Sequence, residues 1–189
     1  MAADTASRTA GLRTGRLSLC LTGPESTGKT TLAQALARYF DVPLVPEVAR
    51  DYLSNRKGYD ERDLLEIVRL QVEAEAAART SHDGLLVCDT DLLVLQIWWS
   101  EKFGEPPESI TQAMALRSPR VYLLMYPDLP WQADSQRENP HDRLRLFARH
   151  ESELTRGPFR YGIVEGLGDA RLDAALHQFE RLLGGPPVC

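Results

Sequence analysis

Residues 16–30 read RLSLCLTGPESTGKT. The run 16–23 is short, apolar and closed by a glycine, the pattern of a buried strand. From Lys29 onward, Leu32, Ala35, Leu36 and Phe40 recur on one face of a helix. Between the two, GPESTGKT matches G-x-x-x-x-G-K-[ST] in the strand–loop–helix setting its mechanism requires. Gly23 and Gly28 permit a turn tight enough for backbone N–H groups to surround a phosphate, and the helix start adds the positive end of its dipole. Only three of the 22 basic residues are lysines: Lys29, Lys57 and Lys102. A lysine at position 29 supplies a mobile point charge for a phosphate chain, and the Thr30 hydroxyl suits Mg²⁺. A chance match in a chain of this size is on the order of one in a hundred, and the correct placement lowers it further. Gly23, Pro24, Glu25, Ser26, Thr27, Gly28, Lys29, Thr30 and Thr31 are therefore candidates to bind the phosphates of ATP.

Outward from this loop, apolar runs and helical patterns alternate. VPLVPE (42–47) is a short β-branched run, and 60–80 is a long helix. GLLVCD (84–89) is another buried strand, followed by the helix DLLVLQIWW (91–99). RVYLLMY (120–126) reads as a strand, 128–139 as an irregular polar segment, and NPHDRLRLFARHESEL as a helix capped by Asn139 with Pro140 in its first position. RYGIVEG (160–166) and 169–183 complete the series as strand and amphipathic helix. Strands apolar on both faces need helices on both sides. The expected fold is α/β: a P-loop NTPase-type three-layer α/β/α with a mainly parallel sheet, nucleoside/nucleotide-kinase-like with a lid segment at about 127–143. One domain, 16–183, lies between tails at 1–15 and 184–189.

Composition narrows the function classes. A net charge of −5 gives no support to a general nucleic-acid binder. No apolar stretch reaches the length of a membrane span, and the polar N-terminus has no signal-peptide core, which leads to the expectation of a cytoplasmic chain. Three cysteines, of which Cys20 and Cys88 sit in apolar runs, read as small core residues. Oligomeric state is left open.

In a parallel sheet of this type ligands bind beyond the carboxyl ends of the strands. Asp89 ends LLVCD and is the natural partner of Thr30 for Mg²⁺; a helix N-cap is its bland alternative. Glu47 follows the second strand and could orient an acceptor hydroxyl, or merely pair with Arg50. Arg50, Tyr52, Asp91 and Trp98 are further acceptor-side candidates: Asp91 for a ribose hydroxyl, unless it only caps a helix, and Trp98 for stacking on a flat ring, unless it is core. Arg137 and Arg143 bracket the start of the helix after the lid and are candidates to close on the transferring phosphate. No Asn-Lys-x-Asp guanine reader occurs, and 189 residues do not provide the extra modules of a ring-forming motor. A kinase, with Lys29, Glu47, Asp89, Arg137 and Arg143 as its catalytic set, fits these residues.

GPESTGKTTLAQALA, VPEVARDYL, LLVCDTDLLVLQIWW and IVEGLGDARLDAAL together resemble the ribosylnicotinamide kinase domain of the bacterial NadR family, over residues 16–183. The loop is generic; E-x-x-R-[DE] and D-T-D are more specific. The resemblance implies ATP- and Mg²⁺-dependent phosphorylation of nicotinamide riboside to nicotinamide mononucleotide. It does not imply the adenylyl-transfer step that NadR proteins carry on another domain. A kinase for another nucleoside or small metabolite, and a P-loop regulatory ATPase module, are the alternatives.

Overall fold

The computed structural model describes residues 15–132 and 141–184. Five strands form one sheet in the order β2-β3-β1-β4-β5, and every pairing is parallel. The strands are β1 (Leu17–Thr22), β2 (Leu44–Val45), β3 (Leu85–Asp89), β4 (Arg120–Met125) and β5 (Arg160–Val164). The helices are α1 (Lys29–Phe40), α2 (Val48–Leu53), α3 (Glu61–Ser81), α4 (Leu92–Lys102), α5 (Glu108–Ala115), α6 (Arg143–Arg156) and α7 (Asp169–Gly184). This is the three-layer, P-loop kinase-like architecture expected from the sequence.

Alternation along each strand divides the core into two layers, because successive side chains point to opposite faces. Leu19, Leu21, Leu85, Val87, Leu123 and Met125 pack on Leu32 and Leu36 of α1 and Phe179 of α7. Cys20, Leu86, Cys88, Tyr122 and Leu124 pack on Leu93 and Ile97 of α4 and Phe147 of α6. Cys20 and Cys88 are register partners on β1 and β3, both buried and both free thiols, which makes them core residues. A third cluster joins Ala49, Leu64, Ile67, Leu92, Trp99 and Ile110, and so binds α2 to α5 onto the side of the sheet.

The elements differ from the sequence reading at several points. α2 and α5 are additional short helices, too brief for periodicity to announce. α6 begins at Arg143 with Asp142 at its N-cap, and the expected cap and first-turn residues, Asn139 and Pro140, lie outside the described residues, as do 1–14 and 185–189. Gly184 belongs to α7 rather than to a tail.

Below the site, a buried polar network ties the layers together. Glu75 of α3 pairs with Arg117 and, at 3.2 Å, with Arg120. Arg120 pairs in turn with Asp91 at 2.9 Å, and the Tyr122 hydroxyl donates to the same carboxylate at 2.8 Å. Ser18 of β1 donates to Glu75 at 3.2 Å. Removing Glu75 strands the buried Arg117 guanidinium and leaves Arg120 with Asp91 alone, a loss that typically costs about 3–5 kcal/mol. Glu75→Ala should lower unfolding stability by that order in urea titrations; a loss below about 1 kcal/mol would mean that water reaches these arginines.

Candidate functional site

The loop after β1 is held in an unusual backbone conformation. Gly23 sits at φ 131° and Gly28 at φ 76°, and Ser26, which is not a glycine, sits at φ 54°. A Cβ on Gly23 would lie 2.9 Å from the Met125 carbonyl oxygen, so conformation and close approach both demand glycine there. Inside the loop, Thr27 donates its hydroxyl to the Pro24 carbonyl at 2.8 Å. The Lys29 ammonium folds back onto the Gly23 and Pro24 carbonyls, each at 2.9 Å. Burial pushes the Lys29 pKa down, while Glu47, Asp89 and Glu25 oppose that shift. α1 starts directly on the loop and so turns its N-terminal end toward the same point.

Arg171 of α7 fixes this loop from below and escapes the motif reading altogether. Its buried guanidinium donates to the Thr27 carbonyl (2.9 Å), the Tyr126 carbonyl (3.0 Å), the Gly166 carbonyl (2.6 Å) and Asp128 (2.6 Å). Asp128 also accepts the Gly166 N–H at 2.7 Å. One side chain thereby joins the loop after β1 to the segments leaving β4 and β5. A detectable signal exists: Arg171, Ala175, Phe179 and Leu182 form one buried stripe of α7, and a charge on an apolar stripe must have partners.

Asp89, at the end of β3, is buried with its Oδ1 lacking any hydrogen-bond partner among the described residues. Desolvation raises its pKa; a hydrogen bond from Thr30 opposes the rise, and so does the Lys29 charge. The helix-capping alternative considered for Asp89 falls to Asp91, which accepts the Leu93 N–H at 3.0 Å at the start of α4. Thr90, between the two acids, adopts φ 73°, and this turns their side chains to different tasks. An orphaned carboxylate oxygen beside a threonine hydroxyl fits a hard cation that takes its remaining ligands from phosphate and water. Among the described residues no three His, Cys, Asp or Glu side chains gather into a protein-only metal cage.

A cavity of about 550 Å³ opens from the loop. Residues 23–31 form one wall, and Glu47, Arg50, Tyr59 and Trp98 also belong to its lining. Glu47 pairs with Arg50 at 3.3 Å. Trp98 stacks on Tyr59 with ring centroids 6.0 Å apart and planes at 28°, whereas Trp99 is core, its indole N–H donated to the Glu105 carbonyl. Tyr59 is thus a lining aromatic that no motif indicated. Two sequence candidates lie elsewhere and are corrected. Asp91 is consumed by Arg120, Tyr122 and its own helix, and Tyr52 donates to Asp63 at 3.0 Å with Arg56 over its ring; neither borders the cavity.

The lid root, 127–132, folds onto the loop. Ser26 Oγ donates to the Gln132 carbonyl and accepts the Gln132 N–H, both at 3.3 Å. Arg143 donates to the Leu129 carbonyl at 2.8 Å and reaches the Ser26 carbonyl at 3.4 Å. It is the first residue of α6, not a residue of a turn already under way. The other lid arginine, Arg137, lies outside the described residues.

A family model, AAA_28, described as AAA domain, matches residues 18–171. No curated protein matches the chain. Among solved structures, NadR protein in complex with NAD and AMP-PNP is 20% identical with a TM-score of 0.67, covering 90% of this chain and 51% of that one. NadR protein in complex with NR gives 19% identity and a TM-score of 0.68, covering 94% and 54%. Thymidylate kinase from Ehrlichia chaffeensis gives 15% identity and a TM-score of 0.63, covering 89% and 99%. The chain thus spans about half the length of the NadR chains and nearly all of the thymidylate kinase, and these likenesses show a shared fold. The loop of residues 23–30, the all-parallel sheet and the match over 18–171 make the chain a member of the AAA_28 family of AAA domains.

Proposed function

We propose that this protein is an ATP- and Mg²⁺-dependent small-molecule kinase that phosphorylates nicotinamide riboside to nicotinamide mononucleotide. The observation that carries the reading is the composition of one cavity. A phosphate-type loop with Lys29 forms one wall, three acids (Glu47, Asp89 and Glu25) act on that lysine, and paired aromatics stand in the lining.

The phosphates of ATP fit against the N–H groups of residues 23–30. Lys29 then exchanges two carbonyl contacts for phosphate oxygens, a stronger, charge-assisted pairing. Thr30 and Asp89 are the groups that would hold Mg²⁺, which supplies charge neutralisation for phosphoryl transfer when bound. Glu47 is the acid on the acceptor side, suited to orient the hydroxyl that attacks. Trp98 and Tyr59 offer flat surfaces to a ring. Arg143 reaches the loop at the Ser26 carbonyl, a position from which its two-point fork could meet a phosphate. The likeness to NadR structures that hold AMP-PNP or NR supports ATP as donor and this acceptor.

One observation favours a second reading. The Lys102 ammonium lies 3.6 Å from the centroid of the Tyr59 ring. It occupies a face that a cationic pyridinium would otherwise use, and like charges there repel. A kinase acting on an uncharged or anionic metabolite is the reading this contact supports.

Incubating the protein with nicotinamide riboside, ATP and Mg²⁺ should yield nicotinamide mononucleotide by chromatography, and EDTA should stop it. Efficient phosphorylation of another acceptor with no mononucleotide formed would move the assignment to the second reading.

Asp89 gives opposite signs for stability and activity. Its folded pKa is raised, so ionising it costs stability, a cost absent below the unfolded pKa and complete above the folded one. Asp89→Asn should therefore raise the Tm of the ligand-free protein at pH 7 by about 2–4 °C, at about 1 kcal/mol, with the gain gone near pH 3. The same variant should lose Mg²⁺-dependent turnover, partly recovered at high Mg²⁺. A lower Tm at pH 7 would show the ionised carboxylate to be stabilising and leave no reason for a cation.

For Arg143, lysine cannot copy a two-point fork. Arg143→Lys should reduce kcat nearly as much as Arg143→Ala with little change in KM, as measured by steady-state kinetics; wild-type kcat in both would assign this arginine to the lid root alone.

A further inference from the structure

His150 of α6 lines the cavity and is 3% exposed. Its Nδ1 lies 2.9 Å from the Thr22 hydroxyl, on the last residue of β1 and immediately before Gly23. The hydrogen bond that His150 makes among the described residues is this one, at Nδ1, and Nε2 is the other nitrogen of a ring that lines the cavity. A peg that merely fastened α6 to β1 would need one nitrogen and no cavity. Here one nitrogen is fastened and the ring stands beside Lys29, whose charge acts on it.

Burial pushes the His150 pKa down to about 3, with Lys29 and Arg149 adding to the effect. The ring is therefore neutral at pH 7 and carries one N–H. When the Thr22 hydroxyl donates to Nδ1, that proton sits on Nε2. A neutral donor is well suited to this place: it adds no charge beside a buried ammonium, yet it can meet an anionic oxygen arriving at Lys29.

We propose that His150 is a further active-site residue, whose Nε2–H donates a hydrogen bond to an oxygen of the phosphoryl group being transferred, with the Thr22 hydroxyl paired to Nδ1. This rests on reading residues 23–30 as a phosphate cradle. It places His150 two turns after Arg143 on α6.

Two amide variants separate the ring nitrogens. His150→Asn puts an amide near the Nδ1 position and removes Nε2; His150→Gln puts an amide near Nε2 and gives up Nδ1. AMP-PNP affinity is measured by calorimetry, folding by Tm, and turnover as ADP formed from Mg-ATP alone and with nicotinamide riboside. The expected result for His150→Asn is a Tm within a few degrees of wild type, AMP-PNP affinity within about threefold, and kcat lower by about 10²-fold, the usual cost of one lost donor to the transition state. His150→Gln should recover at least about tenfold of that loss. Wild-type kcat in His150→Asn, or equal losses in both variants, would overturn the proposal and leave His150 a peg. Wild-type protein that fails to bind AMP-PNP would instead overturn the phosphate-cradle reading beneath it.

Discussion

The buried guanidinium of Arg171 joins three chain segments that local sequence cannot join. The loop after β1 carries strained torsions at Ser26 and has few contacts of its own, so its shape must be imposed from outside. Arg171 imposes it through the Thr27 carbonyl, and spends its other bonds on Tyr126, Asp128 and Gly166, where β4 and β5 end. A charge buried this deeply is tolerated only because Asp128 and three carbonyls surround it. Under the proposed phosphate-cradle reading, a backbone fixed in this way leaves little reorganisation for binding.

A second set of charges is deliberately unbalanced. Lys29 is buried against carbonyls, Asp89 keeps an oxygen without a partner, and Glu47 stands near both. The burial of Lys29 and of Asp89 costs stability in the empty protein. The network of Glu75, Arg117, Arg120, Asp91 and Tyr122 is the contrasting case: it is buried just as deeply, but its acids and bases are matched. Thr90 divides the two regions, with Asp89 directed to the site and Asp91 to the network. Excess charge collected at one end of one cavity is the pattern expected where a ligand completes the balance.

How much of this the sequence carried depends on whether the signal was local. GPESTGKT fixed loop, strand and helix together, since all its constraints lie within eight residues. Buried strands such as LLVCD were equally plain, because both faces demand apolar side chains. Asp91 was misplaced on the acceptor side because its partners, Arg120 and Tyr122, lie 29 and 31 residues away. Tyr52 was likewise drawn off by Asp63. Arg171 and His150 were missed although each interrupts an apolar stripe, Arg171 with Ala175 and Phe179, and His150 with Leu146, Phe147 and Leu154. Gln71 and Glu75 interrupt the stripe of α3 in the same way. In this fold a polar residue on a helix's buried face marks either the site or the network that supports it, and only tertiary contacts tell which.

The central claim is that residues 23–30 form a preorganised cradle whose charge is Lys29. Calorimetric titration with AMP-PNP and Mg²⁺, on the wild-type chain and on Lys29→Ala, tests it most directly. The account predicts a single site per chain, and a loss of at least about tenfold in affinity on removing the ammonium, worth about 1.4 kcal/mol or more, with the Tm of the ligand-free variant held or raised because a desolvated charge is gone. Equal affinity in the two proteins, or no heat of binding in the wild type, would contradict it.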